Sequence, residues 1–233
     1  RIEDKIKVEY AFQKLEDLPI ELVVPEKRVK PWGTAHALYA ARDFLHGKFA
    51  IINADDFYGD QAFMELSKHM DESNDYLIIG YKVGQTLSGN GAVKRAVLPN
   101  ENGVVSSVIE CSCMLEEEYV NCIPLDTSKE PFLIDKDALV SVSLNSFNES
   151  FIKAITKELI NMESIQDKLE NIEVLIPDIL DEEIKNGKTV RVYPTDAKWM
   201  GMTYKEDKVM VQNFINTEIE KGVYPEHLWS DEN

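Results

Sequence analysis

Positive charge is the first thing in short supply. The 233 residues hold 25 Lys and Arg against 42 Asp and Glu, a net charge of −17. Neutralising a phosphate backbone takes clustered Lys and Arg, so neither nucleic acid nor an anionic membrane is an expected partner. Long apolar runs are also missing. The stretch 48–54 is among the longest, and a bilayer span needs roughly 20 residues. No basic segment leads into an apolar one, so no secretory signal is read and a cytoplasmic location is expected. Only three cysteines occur, Cys111, Cys113 and Cys122. Their odd number and C-x-C-x8-C spacing, with no His nearby, fit neither a zinc knuckle nor a disulfide framework. Reduced thiols are expected. Four histidines (His36, His46, His69, His227) lie scattered, with no nucleophile or second acid in step with them. A Ser-His-Asp or Cys-His mechanism therefore has little support.

What is present is an ordinary apolar content of 44% without repeats or linker-like tracts, enough for one sizeable core. Residues 6–12 alternate with the two-residue period of a strand, and Thr34–Leu45 carries apolar residues at helical spacing. Phe49–Asn53 and Tyr76–Val83 read as strands covered on both faces, with a helix over Asp60–Met70 between them. Strand-helix-strand alternation predicts an α/β fold, a Rossmann-like three-layer α/β/α arrangement with a mostly parallel mixed sheet. Beyond Val83 the texture changes. Val93–Leu98, Val104–Glu110 and Leu139–Phe147 read as strands, with a hairpin turn at Asn100–Gly103. Helices follow over Phe151–Met162, Val174–Asn186 and Glu206–Lys221, with a short strand at Thr189–Tyr193. The whole of 1–233 reads as a single domain.

The segment Val29–Gly59 carries the chemistry. It runs as a Gly-containing turn, a helix, a buried strand and two carboxylates, Asp55 and Asp56, at the strand's end. Open α/β sheets bind ligands at the carboxyl ends of their strands. A carboxylate there can hold Mg²⁺ through one or two oxygens and leave the other positions to phosphate and water. Equally, one Asp caps the next helix and the other is solvated. Gly33 and Thr34 open the preceding helix, where backbone N–H groups can meet a phosphate or a base edge. In so acidic a chain, local compensation falls to Lys30, Lys94 and Arg95. His36 faces the start of the helix, in a ligand-contacting or, more simply, a capping role. Trp199, Tyr204 and Trp229 read as core or rim aromatics.

These residues resemble the sugar-phosphate nucleotidyltransferases. The runs KPWGTAHA (30–37) and FAIINADDFYG (49–59) carry the likeness, and GTAHA lies nearest the uridylyltransferase branch. GVVSSVIE (103–110), IPD (176–178), WMGMTY (199–204) and GVYPEHLW (222–229) extend it over nearly the whole chain. The resemblance implies the nucleotide-diphospho-sugar transferase type of fold, a nucleoside triphosphate and a sugar 1-phosphate as substrates, Mg²⁺ as cofactor and pyrophosphate as a product. It assigns Asp55 to the metal, with Asp55 and Lys30 as the catalytic candidates. Gly33, Thr34 and Asp55 are expected at the nucleotide, with Lys30, Gln13 and Gly33 as candidates for base choice. Glu110, Ala96 and Ser143 are expected at the sugar. Thr203 occupies the place of the second metal ligand, with Asp207 or Asp196 as substitutes.

The chain also departs from that family. No Gly-rich phosphate loop is present. Cys111 stands where a Lys often follows the sugar-binding Glu, Ala96 where Gly is usual and Ser143 where Asn is frequent. About 60–90 further residues, two βα units, are expected upstream of Arg1. Two other readings stay open: a metal-dependent glycosyltransferase using a nucleotide sugar, and a non-catalytic nucleotide- or sugar-binding domain on the same fold. Base, sugar and oligomeric state are left open.

Overall fold

The computed structural model describes residues 2–164, 169–201, 204, 205 and 207–227. After a polar N-terminal excursion come helix α1 (Thr34–Ala40), strand β1 (Lys48–Ile51), helix α2 (Asp60–Met70) and strand β2 (Tyr76–Lys82). Seven short strands follow: β3 (Val93–Val97), β4 (Asn100–Glu101), β5 (Val104–Val105), β6 (Ile109–Glu116), β7 (Tyr119–Pro124), β8 (Phe132–Asp135) and β9 (Leu139–Ser141). Strand β10 (Asn145–Asn148), helices α3 (Glu149–Asn161) and α4 (Ile176–Lys185), strand β11 (Val190–Pro194) and helix α5 (Asp207–Glu220) complete the chain.

The run YLIIGY of β2 is buried along its length, as expected of a strand covered on both faces. Helices α1, α3 and α4 cover one face. In α3, Phe151, Ile155 and Leu159 recur every four residues, and Phe151 stacks on Phe147 of β10 at 3.9 Å. The Asn148 side chain caps α3 by accepting the Ser150 N–H. Helix α2 covers the other face with Ala62, Leu66 and His69, the last stacked on Tyr193 of β11 at 3.6 Å. The three-layer α/β architecture is thus as expected.

Strand direction differs in balance from the expectation. Parallel pairing is confined to β2 and β11, and the other ladders among the described residues are antiparallel. The reason is topological. Strands β1 and β2 do run the same way through α2, but β10 lies between them, antiparallel to both. The run 139–147 also divides. Ser143 adopts a left-handed φ of 71° between β9 and β10. This lets β9 pair with β3 and the far end of β2, while β10 returns to β1 and the near end of β2. Strands β3, β6, β7 and β8 then curl away as a second lobe around the buried thiols of Cys111, Cys113 and Cys122. The hairpin at 100–103 forms as expected, with positive φ at Asn102 and Gly103.

Three local expectations are corrected. Residues 6–12 form no strand, and Ile6, Tyr10 and Phe12 stay well exposed. Their alternation has no neighbouring ladder to join. The helix expected to reach Leu45 stops at Ala40 and passes into a 3-10 turn over Arg42–Phe44. There the Arg42 guanidinium grips both Asp17 oxygens at 2.9 Å and ties the N-terminal excursion to the domain. Strands β7 and β8 are additions; the turns before β7 (Glu117–Glu118) and after β8 (Lys136–Ala138) carry neither Gly nor Pro to mark them.

Candidate active site

A cleft of about 430 Å³ opens where the ends of β1, β3, β6 and the β9–β10 turn meet α1 and the start of α4. Asn53, Asp56, Lys94, Arg95, Ala96, Glu110, Ser143 and Trp199 line it together with Thr34. Three strands set its floor. In the register of β9, β3 and β6, Ser141 stands opposite Ala96 and Ala96 opposite Glu110. The small central Ala96 leaves space between two polar neighbours. Ser143 turns the chain there, its N–H donating to Ser141 Oγ at 3.2 Å, while Ser141 Oγ donates to Asn145 Oδ1 at 3.1 Å.

The acidic wall is bolted in place by a two-residue bridge. Phe57 and Met200 exchange backbone hydrogen bonds of 2.8 and 2.9 Å, which sets the Asp55–Asp56 turn against Trp199 and Gly201. A Cβ on Gly201 would lie 2.8 Å from Asp56 Oδ1 and 2.4 Å from the Trp199 ring, so only glycine permits this approach. Asp56 is half-buried, and its Oδ2 accepts from Asn53 Nδ2 at 2.9 Å. Burial pushes its carboxyl above the usual range, and the neighbouring Asp55 charge adds to this against the Asn53 bond. Burial does the same to Glu110, helped by Asp178 and opposed by Lys94 and Arg95.

The cleft gathers some expected residues and leaves others out. Glu110, Ala96, Ser143 and Thr34 meet on its walls, as do two of the three compensating cations, Lys94 and Arg95. Lys30 is exposed and lies off the wall. Asp55 is also exposed, at the turn beside the cleft; the carboxylate that faces inward is Asp56. Gly33 packs beneath α1 against Val174, and the Thr34 hydroxyl accepts the Ile176 N–H at 3.1 Å. Gln13 is committed to the Gly33 carbonyl and to His36, which is itself fully buried and bonded to the Asp17 carbonyl. Asp207 is buried at the start of α5, accepting the Tyr204 N–H at 2.8 Å and the Asn90 side chain at 3.0 Å. Asp196 is exposed and off the cleft. Thr203 and Trp229 lie outside the described residues. Trp199 stands on the cleft wall where a core or rim aromatic is expected, and Arg95 is a charge on the buried face of β3 with Val93 and Val97, while Lys94 beside it is exposed.

A divalent ion has donors of the right chemistry here. Asp55 and Asp56 offer adjacent hard oxygens, and one or two carboxylates suffice for an ion that keeps phosphate and water ligands. Among the described residues no set of three or more ligating side chains forms a closed cage, and no helix is long and apolar enough to cross a membrane.

A mixed sheet with a cleft at its strand ends, walled by carboxylates and a few cations, defines an α/β protein with a charged ligand-sized cleft where such sheets bind their ligands. The chain belongs to the nucleotidyl transferase family, whose model matches residues 2–200. No curated protein matches it. Among solved structures it is similar to the inositol-1-phosphate CTP transferase of T. maritima, at 13% identity and a TM-score of 0.53, over 81% of this chain and 63% of that one. The UDP-glucose pyrophosphorylase of Acinetobacter baumanii is similar at 12% identity and a TM-score of 0.51, over 86% and 60%. The CTP:phosphocholine cytidylyltransferase of Streptococcus pneumoniae follows at 11% identity and a TM-score of 0.50, over 79% and 64%. At such identities the likeness establishes the fold. The chain spans less than two thirds of the length of each.

Proposed function

We propose that this cleft transfers a nucleotidyl group from a nucleoside triphosphate to a sugar 1-phosphate, releasing pyrophosphate. The observation that carries the reading is the meeting of Asp56, Glu110, Ala96, Ser143 and Thr34 around one cavity. A phosphate oxygen of the acceptor forms a bond to the α-phosphorus as the bond from that phosphorus to the bridging oxygen of the leaving pyrophosphate breaks. Such chemistry asks for alignment and charge neutralisation rather than an acid-base pair. Asp55 and Asp56 would hold Mg²⁺, which would supply the charge neutralisation. Glu110 accepts from sugar hydroxyls, and Ala96 gives the ring room. Ser143 completes that wall, while Thr34 and Gly33 shape the nucleotide side.

We further propose that about 60–90 upstream residues complete the site. Among the described residues β1 has a single ladder partner, β10, and the open edge suits another strand, since unpaired edge groups invite pairing. Reading the gene upstream of Arg1 tests this, and the absence of a Gly-rich turn there removes the proposal. The activity is tested by pyrophosphate release from a panel of triphosphates and sugar 1-phosphates with Mg²⁺, using the upstream-extended chain. No release with any pair overturns the catalytic reading.

A further inference from the structure

The cleft holds one buried cation that no carboxylate among the described residues pairs with directly. Arg95, on β3, is 8% exposed. Its Nε donates to Thr86 Oγ1 at 3.0 Å, its Nη1 to the Lys94 carbonyl at 2.6 Å and its Nη2 to the Thr86 carbonyl. All three acceptors are neutral. Among the described residues no carboxylate lies within ion-pair distance of Arg95, although Asp56 and Glu110 flank it closely enough to feel its charge. Burying an unpaired charge is costly, so a cation held this way normally meets an anion. A guanidinium has five N–H donors, and three are used here.

Trp199 makes the second half of the wall. Its ring lies 4.4 Å from the Arg95 guanidinium carbon and holds that group by its face. The indole is 8% exposed, and its N–H is buried with no acceptor among the described residues. Glycine at 201 keeps the ring pressed in place. Two donor groups thus stand side by side in a cleft wall, one with only neutral acceptors and one with no acceptor among the described residues, with the exposed Lys94 beside them.

We propose that Arg95 and Trp199 form the subsite for the monoester phosphate of the acceptor, Arg95 binding it directly and Trp199 positioning the guanidinium. A phosphate dianion matches a fork of charged donors better than a sugar hydroxyl or a base edge. The Arg95 guanidinium stays charged at neutral pH, although burial draws it down to about 10. This rests on the reading of the cleft as a phosphate-acceptor site.

The test is a titration of the chain with inorganic phosphate and with glucose 1-phosphate, with glucose as the uncharged control. Binding is followed by calorimetry and by the indole ¹⁵N–¹H resonances, that of Trp199 being identified from Trp199→Phe. Both phosphates should bind, compete and shift the Trp199 resonance. Arg95→Gln should weaken both by about 10–100-fold, the range of a lost charge-assisted hydrogen bond. Arg95→Lys keeps the charge, and should weaken them by roughly 3–10-fold because the fork is lost. A Trp199 resonance unmoved at saturating phosphate overturns the proposal. So does a folded Arg95→Gln chain that binds within twofold of the parent. Phosphate binding through Arg95 without pyrophosphate release from any triphosphate keeps the subsite and removes the catalytic reading. Pyrophosphate release with an unchanged KM for sugar phosphate in Arg95→Gln does the reverse.

Discussion

Gly33→Ala is expected to cost this domain about 3–5 kcal/mol, through backbone geometry rather than lost ligand contact. Gly33 sits at φ 102° and ψ −179°, in a region open essentially to glycine alone. Holding an alanine there costs about 1–3 kcal/mol. Its methyl would also lie 2.4 Å from the Val174 carbonyl oxygen and 2.8 Å from the Val174 nitrogen. Those are backbone atoms and cannot rotate away. They belong to a clasp in which the Val174 N–H donates to the Trp32 carbonyl at 2.7 Å and the Ala35 N–H to the Val174 carbonyl at 3.1 Å. Opening it loses two hydrogen bonds at about 1 kcal/mol each. Gly47→Ala supplies the control, with φ 67° and nothing within 4 Å of its added methyl. That change carries only the left-handed penalty, about 1–2 kcal/mol. Urea unfolding of the three chains, followed by circular dichroism, measures the difference, and calorimetry should place the Gly33→Ala melting point lower by roughly 6–20 °C. If Gly33→Ala costs no more than Gly47→Ala, the close approach to Val174 is not what glycine serves at 33. Its role would then belong to the ligand.

Other expectations are as direct. Burial raises the Glu110 carboxyl in the folded chain, so the folded state binds that proton more tightly than the unfolded one, and the group's destabilising effect grows as pH rises through the carboxylate range. Glu110→Gln should therefore be more stable than the parent at pH 7 and equal to it near about pH 3, where the carboxyl is neutral in both folded and unfolded chains; a lower melting point at pH 7 refutes this. Asp181 is buried and accepts the Val108 N–H at 2.8 Å, whereas its partner Lys185 is half-exposed. Asp181→Ala should cost about 1–3 kcal/mol in urea unfolding through the stranded amide, and little through the ion pair. In the extended chain Asp56→Ala should abolish Mg²⁺-dependent pyrophosphate release, losing roughly 10²–10³ in kcat. Equal rates for parent and variant would take Asp56 out of the site.

The fold was legible where local chemistry and tertiary environment agree. The run YLIIGY declared a strand covered on both faces, and Asn102-Gly103 declared a hairpin, because each depends on neighbours close in sequence. The alternation of residues 6–12 was equally regular and formed nothing, since period two creates a strand only where a partner edge exists. The site was legible in the same unequal way. Asp55 and Asp56 are adjacent in sequence, yet which one faces the cleft depends on the Phe57–Met200 bridge, a contact between segments more than 140 residues apart. Gly33 and Thr34 were read as a base-binding turn from their place before a helix. Their glycine geometry and hydroxyl also answer to Val174 and Ile176, about 140 positions further on. Arg95 shows the converse. It is a charge on the buried face of β3, between Val93 and Val97, and only Trp199, 104 positions on, gives that anomaly a direction. A residue that breaks the rule of its own element is thus the sequence-level trace of a site. The partner that explains it lies in the packing, and for Arg95 that partner is an indole whose own N–H has no acceptor among the described residues.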